Sequence, residues 1–216
     1  MSVLDLILAD ARTPTGGYAH SAGLEQLVAG GAGVAEVPRF AAARLRTVAS
    51  VEAAFAARAC VAGDLSGLMT LDSELAARTP APPLREASRR LGQALLRTAL
   101  GWWPDDSRLQ AYREHSALSP RPVVLGAVVR RGGGGPVEAA RISLYEDAAS
   151  VCSAAVKLLP LDSGRASRWL VMLADEIEDL AVRAAAASSQ LPSTSTPLLD
   201  RDALIHATQT RRLFAS

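Results

Sequence analysis

Residues 37–60, VPRFAAARLRTVASVEAAFAARAC, decide the fold. Val37, Ala41, Leu45, Val48, Val51, Phe55 and Ala59 recur at steps of three and four, while Arg39, Arg46, Glu52 and Arg58 fall elsewhere on the wheel. The spacing predicts an amphipathic helix of about six turns at 3.6 residues per turn. The same period returns in residues 84–103 through Leu84, Ala87, Leu91, Ala94, Leu95 and Trp102, stopping at Pro104. It returns again in 137–159, through Val137, Ala140, Leu144, Ala148, Val151, Ala155 and Leu159, and in 166–187, through Trp169, Leu173, Ile177, Leu180 and Ala184. Shorter helices are expected at 2–9, 20–29, 64–78 and 106–116.

The segment 122–131, PVVLGAVVRR, carries β-branched Val123, Val124, Val128 and Val129 and is the one strand candidate. No second alternating segment exists to satisfy its backbone, so a buried helix is expected there. TPAPP at 79–83 and GGGGP at 132–136 read as loops. These assignments make an all-α fold, a single compact helical bundle of about nine or ten helices over residues 1–187. The polar stretch SSQLPSTSTP at 188–197 reads as a linker. Residues 188–216 are then expected to form that linker and a C-terminal tail that stands apart from the bundle and orders on binding a partner.

A chain of 216 residues is long enough for one sizeable core. Hydrophobic residues make up 49% but aromatics only 4%, so the core must be built from Ala, Leu and Val, which lets helices approach closely. A formal charge of +1 supplies no bulk attraction to nucleic acid or an anionic membrane. The apolar runs are far shorter than a membrane span and no targeting segment is visible, which together suggest a cytoplasmic protein. Cys60 and Cys152 sit in apolar helical patterns far apart, as small buried thiols would. Lys157 is the only lysine among 23 basic residues and lies one turn from the end of an apolar helix. There it can complement the helix dipole or meet an acidic partner.

Chemistry-bearing motifs are sparse. His20 beside Ser21 suggests a nucleophile and base, but sequence neighbours seldom face each other and no Gly-x-Ser-x-Gly elbow accompanies them. The glycine run 132–135 is followed by Pro136 and Val137, where a phosphate-binding loop needs Lys and Ser or Thr. His20, His115 and His206 are scattered, without a spacing that gathers several metal ligands. The acidic set Asp175, Glu176, Glu178 and Asp179 reads as a solvated helix face. A helical transcription regulator or a small hydrolase are the alternative readings. The first lacks a basic recognition helix, and the second lacks an acid to orient His20.

One segment asks for more than a connector. In residues 10–25, DARTPTGGYAHSAGLE, Pro14 and Gly16-Gly17 break regular structure, and Tyr18, His20, Ser21 and Glu25 crowd the start of the next helix. This segment resembles the N-terminal signature of the UreF family of urease accessory proteins. ASRRLGQALLRTA at 87–99, AAVKLLPL at 154–161 and HATQTRRLFAS at 206–216 agree with that family in order and spacing. The chain departs from the pattern at Ala22, where a large aromatic is usual, and in the glycine run 132–135.

The resemblance implies a non-enzymatic maturation factor with no cofactor of its own. It would bridge a UreD-like (UreH-like) accessory protein and a UreG-like GTPase, so that GTP-dependent nickel transfer reaches apo-urease, and it would commonly be a homodimer. It further implies partner-binding roles. Tyr18, His20 and Glu25 are expected on one surface meeting the GTPase, and Lys157 at an interface that gates GTP hydrolysis. Arg211, Arg212, Leu213 and Phe214 are expected to anchor the tail on the UreD-like partner. No nucleic acid or membrane partner is expected.

Overall fold

A computed structural model describes residues 2–15, 20–187, 190–194, 196–209 and 213–214. In chain order the elements are α1 (Val3–Ala9), α2 (Leu24–Ala29), α3 (Val37–Arg44), a π turn (Leu45–Ala49), α4 (Ser50–Val61), α5 (Leu65–Arg78), α6 (Pro82–Trp102), α7 (Ser107–His115), α8 (Arg121–Arg131), α9 (Pro136–Leu158), α10 (Ser163–Ala186) and α11 (Pro197–Thr208). Every regular element among the described residues is helical, as the periodicity predicts, and 122–131 is helix.

Local chemistry sets the helix ends. Asp64, Asp106 and Asp162 each accept the third backbone N–H of the helix that follows, at 2.8, 2.8 and 2.9 Å. Ser2 and Asp5 cap α1 reciprocally. Proline opens α6, α9 and α11, where its missing N–H would have had no intrahelical partner. Pro82 and Pro83 therefore start α6 two residues ahead of the expected position, inside the stretch read as a loop.

Helix α4 is the centre of the molecule. Ala53 and Ala57 face a core shared with α2, α3, α9 and α10, and Phe55, Ala56 and Ala59 face a second core shared with α5, α6, α7 and α8. Being covered on nearly all sides, α4 is apolar nearly all round. Its small side chains let α8 cross so closely that a Cβ on Gly126 would lie 2.2 Å from the Ala56 carbonyl oxygen. Gly92 on α6 likewise makes room for the Ser119 carbonyl, 1.9 Å from where its Cβ would stand. Tyr112 donates to Asp72 at 2.5 Å and Ser116 donates to the other carboxylate oxygen, tying α7 to α5 inside the apolar core.

Two expectations are corrected. The long helix over 37–60 is not regular, because its middle is a π turn in which the Ser50 hydroxyl donates to the Leu45 carbonyl at 2.5 Å. The tail does not stand apart: α11 packs on α6 and α2, and Phe214 is buried in the core shared by α2, α9 and α10. The polar linker lets the chain return to the bundle, where the Phe214 ring finds a buried seat.

Candidate functional site

The site forms where the start of α2 meets the end of the chain. Ala22 and Gly23 take positive φ, 53° and 85°, turning the backbone sharply into α2. Ser21 is fully buried and its hydroxyl accepts the Glu25 N–H at 3.4 Å. That burial removes Ser21 as an accessible nucleophile.

Glu25, in the first turn of α2, collects three hydrogen bonds from the tail. Leu213 N donates at 2.7 Å, Phe214 N at 3.2 Å, and His206 Nε2 lies 2.8 Å away. Burial alone would push this carboxyl up, but the bonds from Leu213, His206 and Phe214 outweigh it and hold Glu25 below the ordinary carboxylate range. One residue on, Gln209 donates to Gln26 at 2.8 Å. The Lys157 ammonium, in the last turn of α9, sits 5.1 Å from the centre of the Phe214 ring, over its face.

The structure thus brings together Glu25, Lys157, Leu213 and Phe214, four of the residues singled out in the sequence. Leu213 points outward at 74% exposure while Phe214 is buried. His20 stands at the rim of the same region, where burial first and the charge of Arg90 second lower its pKa and favour the neutral form. Tyr18, Arg211 and Arg212 lie outside the described residues. His206, buried at 5% exposure, is an addition. It opens the terminal motif, but its pairing with Glu25 spans 181 residues of chain and no local pattern reveals it.

A cleft of about 680 Å³ runs beneath the tail, with Leu199, His206 and Phe214 on the tail side and Lys157, Glu52 and Arg121 on the bundle side. Among the described residues no three His, Cys, Asp or Glu side chains are grouped to hold a metal ion, and no helix is long and apolar enough to cross a membrane. Cys60 and Cys152 are buried free thiols, and burial raises the pKa of both.

The model of the UreF family matches residues 32–174. The chain belongs to the UreF family. The urease accessory protein UreF of Mycobacterium tuberculosis (strain ATCC 25618 / H37Rv) is 37% identical over 216 residues, covering 98% of this chain and 97% of the relative. The UreF of Mycobacterium bovis (strain ATCC BAA-935 / AF2122/97) matches equally, and that of Mycolicibacterium vanbaalenii is 35% identical over 219 residues with the same coverage. The family match covers α3 to α9 and part of α10, while the relatives extend the similarity to the N-terminal signature and the tail.

Proposed function

We propose that this protein is a urease accessory protein that acts without chemistry of its own. It bridges a UreD-like protein and a UreG-like GTPase so that nickel, the cargo, reaches apo-urease in a GTP-dependent step. Nickel and nucleotide are handled by the partners, the working form is a homodimer, and the compartment is the cytoplasm. The observation that carries this reading is the Glu25 node. It holds the terminal segment against α2, with Leu198, Leu204 and Ile205 of α11 turned outward at 66, 49 and 43% exposure and Leu213 beyond the helix at 74%. Apolar side chains presented on a held segment suit a protein partner better than solvent. His20, Lys157 and the segment around Tyr18 supply the surface for the GTPase.

Co-purification with tagged UreD-like and UreG-like proteins tests the reading. The full chain is expected to bring both into one complex. A double variant, Leu204→Asp with Ile205→Asp, is expected to lose the UreD-like protein while remaining helical. Failure of the full chain to join either partner would contradict the proposal.

A further inference from the structure

Helix α10 keeps one face turned away from the bundle. Trp169, Leu173, Ile177 and Ala181 are buried in the core it shares with α9 and α4. On the opposite side Val171 and Met172 stand at 74% and 70% exposure, and Val182 follows at 56%. At about 100° per residue, Arg168, Val171, Met172 and Asp175 fall at steps of three and four within one arc of roughly 100°. Two adjacent large apolar side chains held in water, well inside a 24-residue helix, favour whatever covers them.

The charges of α10 divide into two sets. Glu176 holds Arg46 of the π turn, and Glu178 holds Arg141 of α9. Arg168, Asp175, Asp179 and Arg183, all exposed, make no hydrogen bond or ion pair among the described residues. Along the helix this second set runs plus, minus, minus, plus, with Val171 and Met172 between its first two members. That order suits a second copy of α10 laid antiparallel on the first, because an isologous contact sets residue i against residue j and j against i. A two-fold axis between residues 171 and 172 puts Val171 against Met172 of the second copy and Arg168 against its Asp175, each twice. The other registers fail: an axis between 175 and 176 opposes Arg168 with Arg183, one between 173 and 174 opposes Met172 with Asp175, and one at 179 opposes Asp179 with itself.

We propose that the face of α10 formed by Arg168, Val171, Met172 and Asp175 is the contact through which two copies of this chain pair, in that antiparallel register. The proposal rests on the homodimer read above and adds to it the surface and the pairing. Val171 and Met172 of both copies form the apolar centre of the contact. The two Arg168 and Asp175 pairs close its rim and select the register, as charges flanking the seam of a coiled coil do. None of the four residues lines the cleft beneath the tail, so the pairing contact and the tail seat are separate surfaces.

The test is sedimentation equilibrium of the full chain and its variants over a range of concentrations. The wild type is expected to be a dimer. Arg168→Asp and Asp175→Arg each oppose like charges across the contact and are expected to weaken dimerisation roughly tenfold or more. Combining the two exchanges the charges and is expected to restore affinity to within about threefold of wild type. Val171→Asp together with Met172→Asp is expected to give a helical monomer. A dimer that survives these variants with unchanged affinity would overturn the proposal while leaving the homodimer standing on another face. Single variants that weaken the dimer, with no recovery in the combined one, would overturn the register and the proposal with it. A wild type that stays monomeric at every concentration would contradict the homodimer reading itself. Should the aspartate pair not fold, the charge exchange, confined to exposed side chains, decides alone.

Discussion

The crossing of α4 and α8 and the seat of the tail on α2 are both interfaces within one chain, built in opposite ways. At the crossing, Ala56, Ala59 and Gly126 bring two backbones together in a close contact of small apolar residues. At the tail seat, one carboxylate, one buried aromatic ring and one ammonium carry the contact. Close packing of small residues tolerates almost no change in volume. A few charged hydrogen bonds can be made, broken and tuned by pH or by a partner. The bundle is therefore the fixed frame and the tail its adjustable part.

The largest effect is expected at the crossing. Gly126→Val places a Cβ 2.2 Å from the Ala56 oxygen and 2.7 Å from the Ala59 Cβ, so α8 must move away from α4. A loss of about 3 kcal/mol or more is expected in chemical denaturation followed by circular dichroism. A midpoint within about 0.5 kcal/mol of wild type would show that the bundle is not rigid there.

At the tail, Phe214→Ala is expected to cost about 1.5–3 kcal/mol of docking. Faster amide exchange in α11 should report it, while the amides of α4 and α8 stay protected. Equal acceleration in both regions would make the tail part of the common core and erase the contrast. Glu25→Gln is expected to weaken docking by roughly 1.5 kcal/mol through loss of charge-assisted bonds. Glu25 has a lowered pKa, so its contribution is present above about 4.5 and is lost as pH falls below that value. Exchange in α11 should accordingly accelerate on acidification in the wild type and change less in Glu25→Gln. Lys157→Ala sits at the small end, about 0.5–1 kcal/mol of docking from the cation and ring contact. Its larger consequence is expected in GTP hydrolysis by the assembled complex.

The frame was largely legible in the sequence. Apolar steps of three and four in 84–103, 137–159 and 166–187 foretell α6, α9 and α10, because each buries one stripe against a neighbour. The π turn at Leu45–Ala49 was not legible. Alanine fills so many positions of 37–60 that a slip of one residue leaves the apolar pattern looking unbroken. The tail was misread for a different reason. Ser, Thr and Pro in 188–197 describe the local chain well, but whether it returns depends on the contacts of His206 and Phe214 with Glu25, made across more than 180 residues. Glu25 itself was visible only through the motif around it. Its role needed the geometry.

Titration calorimetry of the UreD-like protein against the full chain and its Glu25→Gln variant tests the central claim most directly. If the Glu25 node holds the tail in its binding form, the variant should lose about tenfold in affinity, the equivalent of 1.4 kcal/mol, while its bundle melts as the wild type does. Equal affinity for both proteins would contradict the account.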